Sequence, residues 1–166
     1  SVVSIPVAKN GKRNFNQIIE KEGKIFLIPH MNSSLVLYDV KYSRWEFIAI
    51  SDCPNGNVAG YNIVGAKFSD AFIFNDKLYM MPNRYPAIAA FDCKTNEMLY
   101  ISDDIEAIIE NSGKRDCSVS KKYFSGDDKV IFFCCLNNEI LEFDFRDEKL
   151  KSVAKLSDAL PANMLP

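Results

Sequence analysis

Lys77-Leu-Tyr-Met-Met-Pro82 is one of three copies of the same phrase, the others being Lys24-Ile-Phe-Leu-Ile-Pro29 and Lys129-Val-Ile-Phe-Phe-Cys134. Their starts are 53 and then 52 residues apart. A second phrase begins 11 residues after each start: Leu35-Val-Leu-Tyr-Asp39, Ile88-Ala-Ala-Phe-Asp92 and Ile140-Leu-Glu-Phe-Asp144. Short apolar runs recurring with a period near fifty are the signature of an array of stacked all-β units.

The second copy shows how one unit is built. Phe68 to Asn75 and Lys77 to Met81 are rich in residues that suit a pleated surface, and Asn75-Asp76 between them predicts a tight antiparallel turn. Pro82 removes a ladder donor and ends the second strand. Asn83-Arg84-Tyr85-Pro86 makes the next turn, 87–92 the third strand, Lys94-Thr95-Asn96 a polar turn, and 97–101 the fourth. Four strands in meander order form one propeller-type blade. The fold class predicted is therefore all-β, with about three such blades at about 14–50, 67–101 and 118–156 in a single propeller or partial-propeller domain.

The other copies follow the same order. Glu22-Gly23 separates the first two strands of unit one, and Lys41-Tyr42-Ser43 precedes Trp45 to Ile50. Ser125-Gly-Asp-Asp128 and Arg146-Asp-Glu148 fill those places in unit three. Asp39, Asp92 and Asp144 each end a third strand, where a carboxylate accepts N–H groups of the following turn. Two insertions, 51–66 and 102–117, join the units. The first is rich in Gly and Asn and reads as a loop. Within the second, Asp103 to Gly113 has an acidic start, apolar residues at helical spacing and a closing Gly, which predicts a short helix.

The chain has 166 residues, 48% of them hydrophobic and 25% charged, as a folded globular domain requires. With 20 basic and 22 acidic residues, it lacks the basic excess of a nucleic-acid partner. No apolar run reaches the roughly 20 residues that span a bilayer, and Ser1 to Pro6 lacks the pattern of a signal peptide. Compartment is not legible. The five cysteines, Cys53, Cys93, Cys117, Cys134 and Cys135, are odd in number and form no Cys-x-x-Cys pair, so reduced structural thiols are expected. One histidine and no metal-ligand spacing lead to the expectation of no metal and no cofactor.

Unit one resembles the blade of the kelch-type, galactose-oxidase-like β-propellers. The likeness rests on Gly23-Lys-Ile-Phe-Leu-Ile28, the Tyr38-Asp39 pair, and Trp45 six residues after Asp39. The family's Gly-Gly pair after the second strand is replaced here by Ile28-Pro29, Met81-Pro82 and Phe133-Cys134, and Trp45 by Leu99 or Leu150 in the later copies. The resemblance implies a propeller, which hosts both enzymes and passive binding platforms. Copper chemistry of the galactose-oxidase kind is not implied, since His30 alone cannot supply two imidazoles.

Closed propellers typically use at least four blades. Three units therefore imply either a fragment of a longer chain or a homodimer completing a six-bladed ring. The turns between second and third strands share one end with the inter-unit links, and irregular loops on a rigid scaffold are where binding is expected. Candidates at that end are His30, Asn32, Arg84, Tyr85 and Asn137. Arg13, Lys67 and Arg115, each just before a first strand, add a ring of cations that would attract an anion if they converged. His30 lacks the orienting partner a general base needs. No catalytic residue is assigned. The expected function is a noncatalytic binding module for a protein, peptide or glycan, without nucleic-acid binding or a membrane span. The alternative is a glycan-active enzyme, a lyase or sialidase-like hydrolase, with its catalytic residues on other blades.

Overall fold

The structure, a computed structural model, describes residues 14–51, 66–112 and 123–155. Within these residues the chain forms three four-stranded antiparallel sheets, each in meander order. Sheet 1 holds β1 (Phe15–Lys21), β2 (Lys24–Pro29), β3 (Ser34–Asp39) and β4 (Arg44–Ala49). Sheet 2 holds β5 (Phe68–Phe74), β6 (Lys77–Pro82), β7 (Ile88–Asp92) and β8 (Met98–Ile101). Sheet 3 holds β9 (Tyr123–Ser125), β10 (Lys129–Cys134), β11 (Glu139–Asp144) and β12 (Lys149–Lys155). The all-β class and the predicted strand order are thus observed. The helix expected after the second sheet is α1 (Asp103–Ser112), with acidic residues in its first turn where they favour the helix dipole.

The turns repeat as closely as the strands. Val40, Cys93 and Phe145 each donate their backbone N–H to the carbonyl of Gly23, Asp76 and Asp128, which ties the turn after the third strand to the turn after the first. Asp39 accepts the N–H of Tyr42, Asp92 those of Lys94 and Thr95, and Asp144 that of Arg146, so all three aspartates cap turns as their position implied. Ser43, Asn96 and Glu148 close these turns with φ of 50°, 60° and 53°. Left-handed backbone suits Asn and is unusual for Glu.

Strand alternation places sheet 2 in the middle of a stack. Along β6, Leu78 and Met80 join a core cluster with Phe26, Ile28, Leu35 and Leu37 of sheet 1. Tyr79 and Met81, on the opposite face, join a second cluster with Val130, Phe132, Leu141 and Phe143 of sheet 3. β7 divides the same way, Ala89 and Phe91 toward sheet 1 and Ile88 and Ala90 toward sheet 3. Fully burying each large apolar side chain contributes roughly 1.5–3 kcal/mol, which makes the two seams the main source of stability. Ile105 and Ile108 fasten α1 onto the second seam.

One alignment differs from expectation. Trp45 pairs with Tyr38 in register and packs on it with tilted rings, centroids 4.5 Å apart; the residues in its place in the later sheets are Met98, opposite Phe91, and Leu150, opposite Phe143. Met98 rather than Leu99 is therefore its counterpart, because pairing across the strands, not proximity in sequence, decides which face a residue takes.

The outer faces of the stack are unlike. On sheet 1, Ile18 and Phe47 are exposed, although Ala71 and Tyr100, their counterparts in sheet 2, lie against sheet 1. On sheet 3, Ile131 and Ile140 are partly exposed beside an ion-pair cluster in which Glu142 binds both Lys129 and Lys151. Cys93, Cys134 and Cys135 are free thiols, Cys134 buried in the second cluster. Cys53 and Cys117 lie outside the described residues.

Candidate functional site

At the loop end, the residues singled out from sequence serve mainly to join sheets. Lys67 donates its backbone N–H to the carbonyl of His30 at 2.8 Å, and its own carbonyl accepts the N–H of Asn83 at 2.8 Å. The His30 ring approaches the Phe68 carbonyl with Nδ1 at 3.3 Å, and Asn16 donates to the same oxygen at 2.9 Å. His30 is thus held by backbone partners on both sides. Asn32 and Asn137 accept the N–H groups of Ser34 and Glu139, two residues on, which makes both of them turn caps at equivalent positions.

Two of the ligand-face candidates are instead buried. Tyr85 is fully enclosed, its ring centroid 4.8 Å from that of Phe68, with its hydroxyl donating to the Ser51 carbonyl at 2.6 Å. Lys67 is only 6% exposed, and its ammonium lies 5.6 Å from the centre of the Tyr85 ring. The large ring of Tyr85 is better buried than presented to solvent, and the cation above it goes into the fold with it. Arg84 is exposed, with its backbone N–H donated to Ala66. Arg13 and Arg115 lie outside the described residues, so the proposed ring of cations has one described member, Lys67.

The opposite end of the stack holds a cleft of about 470 Å³ between sheets 2 and 3. Topology puts the Asn75-Asp76 turn, the turn after β7 and the turn after β11 at this end. Phe74 and Phe145 line the cleft with nearly parallel rings, 18° apart in plane and 5.6 Å between centroids. Charged side chains frame them: Asp76, Lys77, Asp92, Lys94, Arg146 and Glu148.

These charges are bound to one another. Glu148 Oε1 accepts from Lys77 Nζ at 2.6 Å and from the Tyr79 hydroxyl at 2.8 Å, linking sheet 3 to sheet 2. Asp76 bridges Lys21 of sheet 1, at 2.8 Å, and Lys94. Arg146 pairs with Asp128 at 3.0 Å. The carboxylates are consequently kept ionised. The two lysines hold Asp76 down to about 2. The turn N–H groups of Thr95 and Lys94 lower Asp92. Burial pushes Glu148 upward, but the bonds from Lys77 and Tyr79 outweigh it and the net shift is down. Tyr79 is pushed well above the usual phenol range by burial and by Glu148, so it stays a hydrogen-bond donor.

Sequence reading placed the site at the other end because it ranked segments by loop irregularity. The cleft is made by tight, regular turns, and it exists only where two sheets meet. The one legible trace was Glu148, a glutamate in the place where the other units have Ser43 and Asn96. Among the described residues, no three His, Cys, Asp or Glu side chains are placed to hold a metal ion, and no helix is long and apolar enough to cross a membrane.

No family model matches this chain, and no curated protein matches it. Solved structures do. A chain from an S. cerevisiae assembly of dbp5 bound to nup159, gle1, ip6 and adp matches with a TM-score of 0.54 at 10% identity, over 92% of this chain and 33% of that one. An extracellular domain from B. thetaiotaomicron, assigned to a one component system, matches with a TM-score of 0.51 at 8% identity, over 95% of this chain and 18% of that one. At such identities the likeness is one of fold. The chain spans about a third of the first and about a fifth of the second.

Proposed function

We propose that the three sheets are successive blades of a divergent kelch-type β-propeller, and that the chain is a noncatalytic module binding a protein, peptide or glycan. The blade reading is supported by the face-to-face order of the sheets, by the repeated turn caps and by the left-handed residue that closes each third turn. The unequal outer faces favour further sheets packing beyond the three, Ile18 and Phe47 occupying places that are covered in sheet 2. Those sheets come from a longer chain or from a second copy. Light scattering on the 166-residue chain distinguishes the two: a dimer supports the six-bladed ring, and a stable monomer removes it.

The observation that carries the noncatalytic reading is the state of the cleft carboxylates. Acid–base cleavage of a glycosidic bond uses two carboxyls whose environments drive their pKa values apart, one protonated and one ionised. Asp76, Asp92 and Glu148 are all shifted the same way, downward, and each is already engaged by a cation or by turn N–H groups. Such a cleft offers fixed charges and hydrogen bonds to a ligand and leaves it intact. Incubation with glycan and peptide libraries followed by mass spectrometry tests this: ligands are retained and recovered unchanged, and any cleavage product that accumulates with enzyme turnover refutes the module reading.

Asp70 gives the enzymatic alternative its one specific observation. It lies on β5, and burial raises its carboxyl above the usual range, against the lowering bond from Ala71 N–H. A raised carboxyl fits a general acid. That reading requires a second carboxylate some 5–9 Å away and loss of a measured cleavage activity in Asp70→Asn.

A further inference from the structure

We propose that the outer face of sheet 1 docks the outer face of sheet 3 of a second copy of this chain, so that two copies close head to tail through two new seams. The inference rests on the blade reading above and commits it to one occupant and one pair of faces.

Exposed apolar side chains mark both faces. Among the described residues eight large hydrophobics are exposed, and five of them, Ile18, Val40, Phe47, Ile131 and Ile140, at 36–68%, stand where the repeat has a seam. Register makes Ile18 and Phe47 the counterparts of Ala71 and Tyr100, the two ends of one cross-strand row. Val40 closes its turn with the same backbone bond as Cys93 and Phe145. All four counterparts pack into a seam, Ala71, Cys93 and Tyr100 in the first and Phe145 in the second. On sheet 3, Ile131 and Ile140 take the places of Phe26 and Leu35 in sheet 1 and of Tyr79 and Ile88 in sheet 2, all four of which are 2% exposed or less. Single exposed hydrophobics are ordinary, but these five are confined to the two ends of the stack. Leu27 and Val36, the middle of the Ile18–Phe47 row, are already buried, so the new seam covers the ends of that row and Val40.

The two faces are of opposite kind. The first seam joins the Phe26 side of sheet 1 to the Met80 side of sheet 2, and the second joins the Tyr79 side of sheet 2 to the Phe132 side of sheet 3. Phe26, Tyr79 and Ile131 share one position of the repeat, and Leu27, Met80 and Phe132 the next. A face of the first kind is thus left over on sheet 3, and one of the second kind on sheet 1. Two copies paired head to tail match both at once, bury twice the area of one seam and close under a two-fold axis. Two sheet 1 faces paired with each other would join like with like and leave both sheet 3 faces uncovered.

Charge agrees with this pairing. Glu20, in the place of Ile73, lies exposed on the outer face of sheet 1 near its turn end, with Glu22 exposed in the turn beyond. At the same end, the outer face of sheet 3 carries Lys129 and Lys151. Both lysines hold Glu142, which replaces Leu37 and Ala90, so that carboxylate enters the seam already paired. Acid on one face and base on the other favour unlike faces and oppose like ones.

The test uses the 166-residue chain and the variants Phe47→Glu and Ile140→Glu, each at an exposed side chain and one on each face. Ile18→Glu repeats the sheet 1 change at a second position, and circular dichroism checks that each variant folds. Sedimentation equilibrium shows a dimer for the wild type. Every seam of a head-to-tail pair contains one sheet 1 face and one sheet 3 face, so each variant alone weakens association about tenfold or more. Mixing Phe47→Glu with Ile140→Glu restores part of the loss, because the mixed dimer keeps one seam that carries neither substitution. A wild-type monomer at about 100 μM overturns the second copy as the occupant. So do assemblies larger than two copies, an Ile140→Glu protein that dimerises like the wild type, or a mixture that associates no better than its components. In these cases NMR contacts of Met80 to sheet 1 and of Met81 to sheet 3 leave the blade reading standing, with the further sheets in a longer chain; loss of those contacts breaks the blade reading itself.

Discussion

The seam between sheets 1 and 2 and the seam between sheets 2 and 3 are built from equivalent strands and closed by different means. In the first, polar side chains of the first strand reach across. Gln17 brackets the backbone of Ala71, donating to its carbonyl at 3.1 Å and accepting its N–H at 2.7 Å, and Lys21 grips the Asn75-Asp76 turn. In the second, Asp70 takes the position of Gln17 and Phe74 that of Lys21. Aromatic rings replace the polar ties: Tyr79, Phe143 and Phe145 pack within 5.0–5.8 Å of each other, centroid to centroid. The polar link moves to the turn, where Glu148 receives Lys77 and Tyr79. The lesson is that one repeated frame can be cross-linked tightly at one seam and left with a ligand-sized opening at the next.

Apolar packing is the part the seams share, so it gives the largest and most symmetric effect. Phe91→Ala and Phe143→Ala, equivalent and fully buried, should each cost about 3–5 kcal/mol in urea unfolding. If one of the two were nearly neutral, the seams would not be equivalent in packing.

The next effect is the asymmetric one. Gln17→Ala removes both of its bonds to the buried Ala71 backbone, whose N–H keeps the Asp70 carboxylate as acceptor, and should cost about 1–3 kcal/mol. Asp70→Asn should go the other way. Burial raises the Asp70 carboxyl, so its ionised form opposes folding at neutral pH. The variant gains stability at pH 7, and the gain shrinks as pH falls through the carboxylate range, where the wild-type group takes up its proton. Thermal melts at pH 7 and pH 4 check both sign and trend; a loss at pH 7 would mean that Asp70 makes a favourable contact as a carboxylate.

Glu148→Gln keeps the shape of the turn and removes the charge from the second seam's link. A loss of about 1–2 kcal/mol is expected at neutral pH. Because the folded pKa of Glu148 is lowered, its contribution is present above the unfolded value of about 4.3 and is lost as pH falls through the folded one. The difference between Glu148→Gln and wild type should therefore vanish in acid, and a difference that persisted there would assign the effect to packing. Smallest are Asn32→Ala and Asn137→Ala, which remove a single turn bond each and should cost about 1 kcal/mol or less, equally in both sheets.

Much of this fold was legible in the chain. The period of the Lys-apolar phrase located the strands, Asn75-Asp76 and Glu22-Gly23 marked tight turns, and Asp39, Asp92 and Asp144 were recognisable as caps from their place at strand ends. These features depend on local chemistry, which a sequence displays directly. What a sequence does not display is which residues meet across a seam. Tyr85 reads as a ligand-face candidate because it lies in a turn at the loop end, yet it packs between Phe68 and Tyr100. Lys67 read as an approaching cation, yet burial beside Tyr85 sets its position. The cleft was missed for the same reason: Phe74 and Phe145 are 71 residues apart in sequence, and only the stacking of sheet 2 on sheet 3 makes them neighbours.

The stacking order underlies both seams and the cleft, and solution NMR tests it directly at β6. In a methionine-labelled sample, Met80 should show contacts to Phe26 and Leu37 of sheet 1, and Met81 to Val130 and Phe132 of sheet 3, because alternate residues of this strand face different sheets. Contacts from both methionines to a single sheet, or none from Met81 to sheet 3, would contradict a central sheet 2 and remove the cleft with it.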